Sequence, residues 1–125
     1  TSWAVADRLT DGSRDLDFLL FAALAATVWD LLIDPVFTHW KVWIWTHPRG
    51  YFGIPWSNYL GWFVVTAVMT ALLQPTTFSA TPLLWLYTVS WAFGTIALLT
   101  TQGARGSAVV GGLVMGVMVV AAWAS

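Results

Sequence analysis

The chain has 125 residues, of which 58% are hydrophobic and 9% charged, with a formal net charge of −1 and a mean hydropathy of +0.73. Soluble domains give roughly a quarter of their residues to charge, so this composition describes an integral membrane protein and offers no basic surface for nucleic acid. The absence of cysteine removes disulfides, thiolate metal sites and cysteine nucleophiles. The expected fold is all-α, a multi-pass transmembrane helical bundle of about four spans.

Residues 1–15 read as a polar N-terminal segment, because Asp7, Arg8, Asp11, Arg14, Asp15 and Asp17 crowd the first 17 residues, whereas everything after Tyr51 carries Arg105 alone. The chain starts with Thr1 and shows no signal-peptide pattern, so we expect a processed or partial chain. Residues 16–125 form a single transmembrane domain with spans near 16–33, 56–73, 83–99 and 107–123. Each is close to the ~20 apolar residues that cross a hydrocarbon layer of about 30 Å. A polar break from Gln74 to Pro82 separates the second span from the third. Lys41, Arg49 and Arg105 fall on one side of such a bundle, and Arg8 and Arg14 on the other, which favours a cytoplasmic 35–55 loop in a cell-membrane protein.

At the end of the first span Asp30 and Asp34 are spaced i, i+4, which puts both carboxyl groups on one helical stripe with Cβ atoms roughly 6 Å apart. Charged groups at bilayer depth are costly and usually face a partner, a cavity or a substrate. Such a pair resists double ionisation, which keeps one carboxylic acid protonated as a general acid requires. Asp34 capping a turn and Asp30 bonding a neighbouring helix are the structural alternatives. Pro35 disfavours helix at Asp34, so the chain is expected to leave its helix there.

The segment containing His39, Trp40, Lys41, Trp43, Trp45, His47 and Arg49 reads as interfacial, since Trp, Lys and Arg collect where headgroups meet hydrocarbon. The same indole faces can hold a polyene and stabilise a carbocation by cation–π attraction. His39 and His47 are eight residues apart, unlike a helical i, i+4 metal pair; a site of two His and two Asp is an alternative, and we expect no metal. Gly50, Gly53 and Pro55 make a rigid turn, after which Ser57 or Asn58 can cap the next helix. In the third span Trp85, Tyr87, Trp91 and Phe93 read as packing or interface residues, with a pigment groove as the alternative. In the fourth, Ala108, Gly112 and Gly116 form a small-residue face, including a GxxxG, for close helix approach.

Asp34-Pro35, then Trp43-x-Trp45, then Tyr51-Phe52-Gly53-Ile54-Pro55-x-Ser57-Asn58-Tyr59-x-Gly61-Trp62 resembles the carotenoid biosynthesis membrane proteins of the CruF type, which include carotenoid 1,2-hydratases and bisanhydrobacterioruberin hydratases. The run from Gly53 to Trp62 is its specific part, and beyond residues 30–65 the likeness is only apolar. Members of that family are about twice as long, so the chain matches their C-terminal half. The resemblance thus implies further transmembrane helices, of the same or another chain, as expected partners that can complete the pocket.

The resemblance implies hydration of the terminal 1,2 double bond of an acyclic, ψ-end carotenoid to a tertiary alcohol, without a cofactor. Asp30 or Asp34 donates the proton, the other carboxylate holds the water, and Asn58 and Tyr51 orient that water. Trp40, Trp43, Trp45, Trp56 and Trp62, with His39, contact the substrate. The alternatives are a non-enzymatic carotenoid-binding or scaffold subunit of a membrane complex, and an unrelated lipid-modifying enzyme or transporter.

Overall fold

A computed structural model describes residues 1–73 and 75–125; Gln74, the first residue of the expected polar break, lies outside the described residues. Among them five helices run in order: α1 (Ser2–Leu9), α2 (Leu16–His39), α3 (Trp56–Leu73), α4 (Ala80–Thr100) and α5 (Arg105–Ala124). The last four are long and apolar enough to cross a membrane, the mark of a multi-pass membrane protein. Large apolar side chains stand out from the bundle on all four, such as Leu24, Leu60, Leu86 and Val117. A bundle in lipid exposes such groups freely, because only backbone polarity must be satisfied internally.

Helix α2 is the axis of the bundle. It packs against every other helix, α4 and α5 pack on each other, and α3 packs its backbone on α2 alone. The shared core joins Val28, Leu32 and Val36 of α2 to Leu84, Tyr87 and Leu98 of α4 and to Ala108, Met115 and Val119 of α5. Two polar groups inside bond to backbone across the bundle: the Tyr87 hydroxyl donates to the Ala25 carbonyl at 2.9 Å, and Trp91 Nε1 to the Gly112 carbonyl at 2.7 Å. The small residues of α5 receive α4, since a Cβ on Gly112 would meet Thr95 at 3.0 Å and one on Gly116 would meet the Trp91 ring at 3.2 Å.

Helix α2 does not end at Asp34. It continues through Pro35 to His39, six residues beyond the expected end of the first span. Pro35 has no N–H for the carbonyl of Leu31, and the preference of a pre-proline residue for extended backbone is only local. The freed carbonyl lies against α5: a Cβ on Gly111 would stand 3.1 Å from Leu31 O and 3.0 Å from Leu32 Cα. A glycine there lets one backbone reach another, the kind of neighbour that makes proline tolerable within a membrane helix.

The N-terminal segment, read as polar, also joins the bundle. In α1, Ala4, Val5 and Ala6 are fully buried, and Trp3 Nε1 donates to Thr70 Oγ1 at 2.9 Å. Its charged residues gather at one end, where Arg14 bridges to Asp7 at 2.7 Å and donates to the Pro75 carbonyl at 2.9 Å. Asp15 caps α2 by accepting from the amides of Asp17 and Phe18. A hydrogen bond from Ser13, reinforced by those amides, holds its carboxyl below the usual range.

Candidate functional site

The helical stripe on α2 brings Asp30 and Asp34 inward, leaving them 4% and 2% exposed. Because α2 stays helical past Pro35, the i, i+4 spacing is kept. Across the seam, Asn58 sits in the first turn of α3 and its Nδ2 donates to Oδ2 of both acids, at 2.8 Å to Asp30 and 2.5 Å to Asp34. An amide has two N–H donors, and here both go to carboxyl oxygens. Asn58 is therefore inside α3 and spends its side chain on α2 rather than capping its own helix. Ser57 likewise falls within the helix.

Beside this triad lies a cavity of about 260 Å³ lined by Asp34, Asn58, Trp43, Ile44, Trp45 and Trp62. One end is polar and the walls are aromatic. Trp43 is fixed by an edge-on contact with Phe37, ring centres 4.9 Å apart. The indole N–H of Trp45 is buried without a hydrogen-bond partner among the described residues. Asp30 does not line the cavity and is joined to it through Asn58 and Asp34, which do.

The turn between α2 and α3 sets these walls. Tyr51 and Ile54 exchange backbone hydrogen bonds of 3.1 and 2.9 Å, and Gly50 has φ of +84°. A Cβ on Gly50 would meet Ile54 O at 2.6 Å, so no other residue fits there without moving the turn. Ile54 is fully buried.

The remaining residues singled out from the sequence fall elsewhere. Tyr51 and Trp56 stack around Tyr59, each ring centre 5.8 Å from it, behind the cavity rather than on its wall. The Tyr51 hydroxyl stands 3.5 Å from the Ser107 carbonyl, a long and weak contact, and burial pushes its phenol up to about 12. Trp40 is half exposed at the end of α2, and His39 reaches towards Gly103. Among the described residues no group of three His or Asp is arranged to hold a metal ion.

Two participants carried no role in the sequence reading. Ile44 closes the cavity, a position that alternation between Trp43 and Trp45 does not reveal. Tyr59 is 4% exposed with its hydroxyl unpartnered by protein. Its spacing of three from Trp56, one helical turn, was the available signal.

Neither the curated proteins nor the solved structures contain a match to this chain. A family model described as carotenoid biosynthesis protein does match, over residues 2–119, which takes in every helix described above except the last turn of α5. With nearly its whole length covered, the chain belongs to the carotenoid biosynthesis protein family.

Proposed function

We propose that the protein hydrates the terminal 1,2 double bond of an acyclic carotenoid, with the Asp34–Asn58–Asp30 triad as its proton-handling centre. The observation that carries this reading is the junction of a buried acid with an aromatic-walled cavity inside a membrane bundle. Carotenoid chemistry in a membrane needs a hydrocarbon site, and hydration adds a proton donor and room for one water. At about 260 Å³ the cavity falls below the roughly 300–1,000 Å³ of sites for drug-sized ligands. It suits the branched end of a long polyene rather than the whole molecule.

Asp34, in its acid form, donates a proton to C2, the less substituted carbon of the double bond. The π electrons form the new C–H bond and leave a tertiary cation at C1. The indole faces of Trp43, Trp45 and Trp62 stabilise that cation, worth about 0.5–2 kcal/mol for each well-placed ring. Water adds to C1, and the resulting oxonium returns its surplus proton to the carboxylate pair, restoring the starting state. Asn58 holds both carboxyl groups in register, while the unpartnered Trp45 N–H is placed to bind the water or the product hydroxyl. No electrons change hands and the atoms balance as substrate plus water.

The decisive experiment is pigment extraction from cells making an acyclic carotenoid, with and without the gene. A product heavier by one water and bearing a tertiary hydroxyl, present only with the gene, supports hydration. Carotenoid that co-purifies unchanged, with no such product, would instead make the protein a pigment-binding subunit.

A further inference from the structure

The acid cavity has a neighbour along the same seam. A second cavity, of about 140 Å³, lies further along α2 and α3, lined by Ala26, Trp29, Trp62, Thr66 and Tyr87 together with Thr1 and Ser2. Trp62 lines both cavities. The helical registers explain this arrangement. On α2, Asp34, Asp30 and Ala26 recur every four residues, and on α3 Asn58, Trp62 and Thr66 do the same, so each series forms one stripe. The hydrogen bonds of Asn58 to both acids set the stripes face to face. From Asn58 to Thr66 the helix rises about 12 Å at 1.5 Å per residue.

The deeper chamber has the character of a hydrocarbon site. Two of its hydrogen-bonding groups are committed elsewhere, the Tyr87 hydroxyl donating to Ala25 O at 2.9 Å and Trp29 Nε1 to Ser90 Oγ at 3.0 Å, while the hydroxyls of Thr1, Ser2 and Thr66 belong to the same lining. On the walls formed by Trp29 and Tyr87 the donors are already bonded, so an apolar guest there leaves no polar group stranded. We infer that the α2–α3 seam is a two-chamber track, in which the reacting end group occupies the acid cavity while the adjoining polyene passes Trp62 into the chamber of Ala26 and Thr66. Trp62 is then the shared wall that aligns the chain, and Ala26 and Thr66 set how long a substrate is recognised. The identity of the end-group chemistry rests on the hydration reading; the track is a statement about chain binding.

The test fills the deep chamber from either side with Ala26→Phe and, separately, Thr66→Phe. Ala26→Leu serves as the milder filler if either aromatic variant fails to accumulate. Purified protein is titrated with a long acyclic polyene, read by quenching of tryptophan fluorescence, and with a short acyclic terpene of three isoprene units bearing the same end group, read by competition. Each filler should weaken the long polyene at least about tenfold, or 1.4 kcal/mol, and the short terpene less than about threefold. Equal weakening of both ligands, or of neither, would overturn the track. A chain-length split without any alcohol product from the wild type would leave the track standing and remove the hydration reading.

Discussion

Replacing Asn58 by leucine tests the site at its narrowest point. The change keeps the side chain's approximate volume and removes the amide donor shared by Asp30 and Asp34, lost from 2.8 and 2.5 Å. In soluble proteins a hydrogen bond to a charged group is worth about 1.5–3 kcal/mol. Between membrane helices the measured average is nearer 0.6, with a maximum of about 1.7, because separated helices still find partners in the bilayer. The membrane figure governs here, since among the described helices the backbone of α3 packs on α2 alone, with the Trp3–Thr70 bond to α1 beside it, and the separated helices stay within lipid. Two bonds then give a loss of about 1–3 kcal/mol. The acids would also lose their register, and a displacement of about 1 Å at a reacting centre can cost 10²-fold in rate. The assay is reversible unfolding in mixed micelles, paired with hydrated carotenoid formation in membranes. An Asn58→Leu protein of wild-type stability and full turnover would refute both the energetic argument and the assignment of the triad.

Three further outcomes follow from the same geometry. Asp34→Asn should reduce hydration by at least about 10²-fold, the usual scale of a lost general acid, while Asp30→Asn, one step removed from the cavity, should reduce it less; equal residual rates in pigment assays would undo the division of roles. Gly111→Ala drives a methyl group against the backbone of Leu31 and Leu32 and should cost about 1–3 kcal/mol, whereas Gly94→Ala meets only the flexible ends of Leu32 and Ile33 and should cost less, as unfolding titrations of the two variants would reveal. Burial raises the Tyr51 phenol from 10.0 to about 12, so the folded state holds its proton more tightly than the unfolded one; that stability is intact below pH 10 and lost as pH rises towards 12. Wild type should therefore lose more stability than Tyr51→Phe across that window in an unfolding series.

The three later spans were legible because their apolar runs are uninterrupted, and the structure moves their ends by only a few residues. The first was cut short because Pro35 argues locally for a break, while the backbone that receives the freed carbonyl belongs to Gly111, far along the chain. The N-terminal segment misled in a similar way: its charges mask Ala4, Val5 and Ala6, which are enough to seat two turns of helix in the bundle. Within the site, the acid stripe could be read from helical period alone. The bond from Asn58 could not, since it closes over separations of 24 and 28 residues; an asparagine near a helix start looks like a cap until the partner helix is in place. Aromatic richness marked the segment that borders the cavity without sorting it, because Trp43 and Trp45 differ from Trp40 only in where the turn after α2 sends the chain.

Among the described helices α3 packs its backbone on a single neighbour, so much of the seam that carries the acids borders the membrane, with Leu60, Val64 and Val65 turned outward. For a hydrocarbon dissolved in that membrane, the approach to the site is sideways, and no watery passage or shedding of hydration stands in its way. An alcohol formed there would have a different preference. Its new hydroxyl would draw it towards the headgroup layer, on the side where Trp40 and Lys41 emerge. Substrate and product would thus part company by solubility, and the direction of traffic would need no moving gate.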